Sequence, residues 1–313
     1  DKNLFDYQIV YTEYAGHATK LTQQAVKEKF TIVVAVGGDG TVNEIGKALI
    51  NTDTALGIIP VGSGNGLARH LDIPVNVKGS LQILNQACIH KLDYGIINDM
   101  PFFCTCGMGF DAFISMKFAE AGKRGVITYV QKVLEEGLKY EPETYDIEDN
   151  EGTHHYKAFL VSVANASQYG NNAYIAPQAS MSDGMLDIII MEPFDILDAP
   201  QVAIEMFNKT LNKSSKIKTF KAKHIHIHRK KEGVIHFDGD PIMAGNDVDI
   251  KIVPRGIKVV VNPKEHKDKR KPNMIQTSFS QLFSNIDLIR SNLNKQGRKF
   301  QALNKTILRK LNI

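Results

Sequence analysis

Thr31-Ile32-Val33-Val34-Ala35-Val36 runs directly into Gly37-Gly38-Asp39-Gly40-Thr41-Val42-Asn43. The order reads as a strand, a glycine turn with one carboxylate in it, and a helix starting near Thr41. Glycines let backbone N–H groups approach an anion closely, and a helix start adds unpaired N–H donors with a partial positive charge. A polyphosphate suits such a turn. Asp39 would repel phosphate, so its expected use is to hold Mg2+ or to orient an attacking hydroxyl. The combination points to phosphoryl transfer.

Outward from this turn, residues 1–90 alternate strand-like and helix-like segments. Tyr7 to Tyr11 reads as a strand, Ala18 to Phe30 as a helix, 42–50 as a helix and Ala55 to Val61 as a strand. That order implies parallel strands with crossover helices and a ligand at the carboxyl ends of the strands. From Lys91 the pattern changes to short alternating runs at 91–97, 101–106, 143–148, 156–165, 185–191, 216–228, 233–238, 248–253 and 257–262. These predict an antiparallel β-sandwich, with helices expected over 111–121, 126–139 and near 198–210. The expected organisation is an α/β Rossmann-like nucleotide domain over 1–90, a β-sandwich domain over 91–263, and a basic linker with a helical tail over 264–313.

Composition narrows the classes. The chain has 313 residues, 43% of them apolar and 23% charged, enough for two ordinary cores and against disorder. Cys88, Cys104 and Cys106 lack metal-type spacing and read as reduced thiols of a cytoplasmic protein. No apolar stretch reaches the roughly 20 residues a spanning helix needs, so work on lipid would be peripheral to the membrane. Residues 264–313 carry 12 Lys/Arg against 3 Asp/Glu, leaving a mildly acidic body with 26 against 31. In the tail, Leu282, Ile286, Ile289, Leu293, Phe300, Leu303 and Ile307 mark one apolar stripe among Lys and Arg. This suits either a peripheral membrane helix or packing on the enzyme or another copy, which leaves a homo-oligomer open.

Three further segments carry chemistry. Gly62-Ser63-Gly64-Asn65-Gly66 is a second glycine turn at a strand end, with neutral hydrogen-bonding side chains suited to phosphate or ribose. Ser182-Asp183-Gly184-Met185-Leu186-Asp187 and His236-Phe237-Asp238-Gly239-Asp240 are Asp-Gly turns. The second sets two carboxylates around a glycine; with Asp39 they could supply a base and a polar shell for Mg2+, or form an ordinary hairpin turn. His224, His226 and His228 alternate on a strand and read as a half-exposed face rather than a metal site. His17, beside the nucleotide loop, could fix that loop by hydrogen bonds.

Gly-Gly-Asp-Gly-Thr, Gly-Ser-Gly-Asn-x-Leu-Ala, Gly-Phe-Asp-Ala, Ser-Asp-Gly-Met-Leu-Asp and Asp-Gly-Asp, in this order over residues 5–262, resemble the diacylglycerol kinase and sphingosine kinase superfamily of lipid kinases. The resemblance implies that Thr12, Gly37, Gly38, Asp39, Gly40, Thr41, Val42, Asn43 and Ser63 hold ATP. It places Asp240 as proton acceptor with Asp238 and Asp39 in a supporting acidic network, and Asp111 near the lipid headgroup. It matches Ser180, Asp183 and Met185 to a structural Mg2+ site. The implied partners are ATP and a lipid alcohol at a membrane surface, a diacylglycerol or a sphingoid base, with no nucleic acid. Asp240 stands where the family usually has Glu, and Gly66 where bacterial diacylglycerol kinases carry Asp. The family's first strand and its Asn-Pro-x-x-Gly turn have no counterpart in this sequence. A soluble-substrate kinase resembling NAD kinases, or a silent lipid- or nucleotide-binding protein of this fold, are the alternatives.

Overall fold

Two parallel strands set the first layer: β1 (Ile32–Gly37) and β2 (Ala55–Pro60) pair in register from Ile32↔Ala55 to Gly37↔Pro60. The computed structural model describes residues 3–112, 137, 140–195 and 198–263. Before and between these strands lie α1 (His17–Lys27) and α2 (Asp39–Leu49). After them come the short α3 (Gly66–His70) and α4 (Val77–Gln86). α2 turns Val42, Ile45, Gly46 and Leu49 inward at helical spacing, onto a core with Ala35, Leu56 and Ile58. The helices expected over 111–121 and 126–139, and the tail over 264–313, lie almost wholly outside the described residues.

The remaining strands are β3 (Ile89–Ile97), β4 (Met100–Phe102), β5 (Thr105–Gly109), β6 (Glu143–Asp149), β7 (Gly152–Ala158) and β8 (Leu160–Ala164). They continue with β9 (Gln168–Gly170), β10 (Ala173–Tyr174) and β11 (Leu186–Met191). After α5 (Ala199–Phe207) come β12 (Ile217–Ala222), β13 (His224–Arg229), β14 (Gly233–Phe237), β15 (Asp240–Ala244) and β16 (Asp247–Val260). One sheet runs β1-β2-β16-β13-β6-β7, with β3 on β16 and β4 on β3; a second runs β12-β11-β8-β5-β14-β15, and β9 and β10 pair with each other as a small third. Phe102, Met108, Tyr145, Ile147, Val163, Ile188, Ile227 and Ile250 fill the space between the first two as a sandwich core.

Three expectations change. Residues 7–11 pair with no strand among the described residues, and Tyr7, Ile9, Val10 and Tyr11 stand exposed. β-type alternation makes a strand only where a neighbouring ladder exists. The run 216–228 is two strands, broken at Lys223, with β12 in the second sheet and β13 in the first. The runs 248–253 and 257–262 are one strand: β16 carries a bulge between Val253 and Ile257, where Arg255 has φ 55°.

Asp93 holds that bulge. Only 1% exposed on β3, it accepts the Arg255 N–H at 2.7 Å and the Gly184 N–H at 2.8 Å. Removing the carboxylate strands two backbone donors, each worth about 1–3 kcal/mol when buried and unpaired. Asp93→Ala is therefore expected to lower unfolding stability by about 3 kcal/mol, read from the urea midpoint at unchanged slope.

Candidate functional site

The register Gly37↔Pro60 ends both parallel strands at one level, so the two glycine turns leave side by side. They touch: a Cβ on Gly62 would lie 2.4 Å from the Gly38 Cα. The Asp39 carboxylate joins them, accepting the Asn65 N–H at 2.9 Å and the Gly66 N–H at 2.7 Å. A Cβ on Gly64 would meet the same carboxylate at 2.7 Å, so glycine is required there. Asn65, left-handed at φ 52°, closes its own turn by accepting the Gly62 N–H and donating to the Gly62 carbonyl. Arg69 donates to the Gly64 carbonyl from behind.

Asp39 thus faces the second turn, and α2, beginning at Asp39 itself, has no side-chain cap. Gly40 and Thr41 form its first turn, with Gly40 exposed. Val42 and Asn43 are buried, and Val42 packs into the core beneath the sheet. Ser63 is exposed on the second turn and Thr12 in the segment before α1. His17 stacks on Tyr14 with ring centroids 4.5 Å apart and accepts the Glu13 N–H, which fixes that loop.

From the sandwich side, β14 and β15 form a hairpin whose two loop residues, Asp238 and Gly239, have φ 52° and 92°. It is a hairpin turn of the primed kind and also a site element. Asp238 turns inward to accept the N–H groups of Phe103 at 2.8 Å, Cys104 at 2.7 Å and Thr105 at 3.1 Å. Asp240 points outward with 64% of its side chain exposed, and Lys47 of α2 lies 3.9 Å from it. The Lys47 ammonium also sits 4.7 Å from the centroid of the Phe237 ring, bridging α2 to the hairpin. Between the acids, burial raises the Cys104 thiol well above its ordinary range, with Asp238 and then Asp39 adding to the effect. The Lys47 bridge is what joins α2 of the first layer to the hairpin of the sandwich.

The other expected residues fall nearby or elsewhere. Asp111, just beyond β5, pairs through Oδ2 with Nε2 of the buried His236 at 2.5 Å. Asp183 accepts the Met185 N–H at 3.1 Å and pairs at 2.7 Å with Lys221, which lies 3.1 Å from Asp187. Ser180 bonds Ser182. Asp183, the one carboxylate of this expected Mg2+ set, is thus paired with a lysine ammonium. Among the described residues no three His, Cys, Asp or Glu side chains converge as a metal site. His224 pairs with Asp249, and His226 and His228 with Asp247, on an exposed strand face.

Lys47 lay in no quoted motif, and His236 stood in the Asp-Gly-Asp segment without a role of its own. The helical period could have found Lys47, since Gly40, Asn43 and Lys47 stand at i, i+3 and i+7 on α2. His236 could have been suspected from its place two residues before Asp238 on an alternating strand.

Comparison with known proteins matches the diacylglycerol kinase catalytic domain over residues 1–97 and the YegS C-terminal NAD kinase beta sandwich-like domain over residues 105–261. A Bacillus subtilis (strain 168) relative named diacylglycerol kinase is 28% identical over 82% of this chain and 86% of its own length. An uncharacterized Synechocystis protein is 29% identical over 83% of this chain, which spans only 59% of that relative. A solved diacylglycerol kinase structure from Bacillus anthracis str. Sterne shares the fold with a TM-score of 0.65 at 24% identity, covering 81% of this chain and 84% of that one.

Burial pushes the Asp238 carboxyl up to about 6, while the Phe103, Cys104 and Thr105 N–H groups and Lys47 act the other way. An unfolded Asp loses its proton near about 3.9, so between these values the folded chain binds more protons. The contribution of Asp238 to stability is then full below about 4 and declines as pH rises to about 6. Thermal unfolding from pH 4 to 7 is expected to show this decline in the wild type and a flatter profile in Asp238→Asn.

Proposed function

Because the chain belongs to the lipid kinase family that joins a diacylglycerol kinase catalytic domain to a YegS-type β-sandwich, we propose that it transfers the γ-phosphate of ATP to the primary hydroxyl of a lipid alcohol, a diacylglycerol or a sphingoid base. What carries the reading is the juxtaposition of two features: an uncapped helix start on a glycine turn, and the exposed Asp240 carboxylate linked to that same helix through Lys47.

In this reading the first-turn amides of α2 and the exposed Gly40 receive the phosphate chain of ATP, with Ser63 and Thr12 at its flanks. Asp39 keeps the two glycine turns together and directs its charge away from the phosphates, into the Asn65 and Gly66 amides. Asp240 takes the proton from the lipid hydroxyl as it attacks, with Lys47 placing the carboxylate. Asp238 has its oxygens occupied by three backbone donors and serves as the anchor that sets the hairpin, with Asp240 at its end. Asp111 lies beside the acceptor headgroup. The acceptor is held in a membrane surface, so the enzyme works there peripherally in the cytoplasm. No helix among the described residues is long and apolar enough to cross a bilayer.

Labelled ATP with extracted lipids tests this. A labelled product in the organic phase supports the proposal. An aqueous product would favour a soluble-substrate kinase, and no product with ATP binding retained a silent binding protein. Asp240→Ala is expected to fold normally and to lose about 10²–10⁴-fold in kcat, the range for a lost general base. Asp39→Ala is expected to weaken ATP binding and to lower Tm, because two turn amides lose their acceptor.

A further inference from the structure

The Asp111–His236 pair has no part in the transfer step. His236 lies on β14, with 2% of its side chain exposed, opposite Gly107 of β5 in register. The missing side chain of Gly107 makes room for the ring: a Cβ there would stand 3.3 Å from Nε2 and 2.5 Å from the Val161 carbonyl. Nδ1 is buried without a hydrogen-bond partner among the described residues. The imidazole is therefore committed through Nε2 to Asp111, whose side chain keeps 18% exposure.

We propose that His236 is a positioning residue that sets acceptor specificity: by holding Asp111 through Nε2 it compensates the carboxylate charge and selects a neutral lipid alcohol over an ammonium-bearing sphingoid base. The proposal rests on the lipid kinase reading, with Asp111 beside the headgroup. A bare carboxylate would attract an ammonium by direct charge pairing. Once a buried imidazole occupies one oxygen, a second cation meets a partner already taken and gains little for the water it loses. A headgroup hydroxyl needs only to donate a hydrogen bond, which Oδ1 can still accept. The surroundings act in the same sense, since Asp111, Asp238 and Asp240 all favour the protonated ring against the effect of its burial.

The test uses the full chain in mixed micelles, comparing kcat/KM for dioctanoylglycerol and for sphinganine. The wild type is expected to favour the neutral acceptor, and His236→Leu to move the ratio toward sphinganine by about tenfold. Adding Asp111→Asn to that variant should return the ratio to the wild-type value. A merely structural role would lower both acceptors together, and an unchanged ratio in folded His236→Leu overturns the proposal. So does a wild type that prefers sphinganine.

Should His236→Leu fail to fold, Asp111→Asn alone decides. A ratio within about threefold of the wild type supports the proposal, and a selective loss of sphinganine by more than about tenfold overturns it. If the wild type phosphorylates neither lipid, the kinase reading falls, and calorimetric binding of 1,2-dodecanediol and dodecylammonium by the same variants applies the same criteria to the specificity.

Discussion

The Asp39 carboxylate, shared between the Asn65 and Gly66 amides, is the interaction on which the site depends. Two parallel strands end at one level, and the chain must leave both through turns whose backbones touch at Gly38 and Gly62. Only glycines allow that approach, and the two oxygens of one carboxylate satisfy both amides of the second turn at once. The acid found in a phosphate-type turn is thereby accounted for. It is a strut between two turns, its two oxygens taken by the Asn65 and Gly66 amides.

The same device recurs. Asp93 accepts amides from a bulge and a turn, and Asp238 accepts three from the segment before and into β5. Each carboxylate joins stretches of chain far apart in sequence, as a charge-assisted acceptor where backbone donors would otherwise lie unpaired. Asp240 differs from these three in standing at the surface with a single lysine nearby. Of two acids separated by one glycine, the first sets the geometry of the hairpin and the second stands exposed at its end.

Much of this was legible in the residues. The strand, glycine turn and helix at 31–49 followed from β-branched residues, glycines and helical spacing, and the Asp-Gly-Asp turn followed from its hairpin chemistry. What remained hidden depended on partners. Alternation continues through Ala222-Lys223-His224, so nothing local marks the point where the chain changes sheets. Pro254-Arg255-Gly256 looks like a turn, yet Asp93 from another strand makes it a bulge. Residues 7–11 have strand composition without a ladder. Asp183 sits in a motif that suggests a cation, and its partner, Lys221, comes from a strand 38 residues on.

β16 pairs with β3 and β13 over the sandwich and with β2 of the nucleotide-type layer. The two halves that meet at Lys47 and the Asp240 hairpin are consequently not beads on a linker. The Gly256 carbonyl accepts the Asn51 N–H at 2.8 Å, and Lys258 pairs with Asp53 at 2.7 Å, stitching the same strand to the loop after α2. Hinged jaws would have to tear this seam. The two layers are therefore joined at folding, through the backbone of one shared strand.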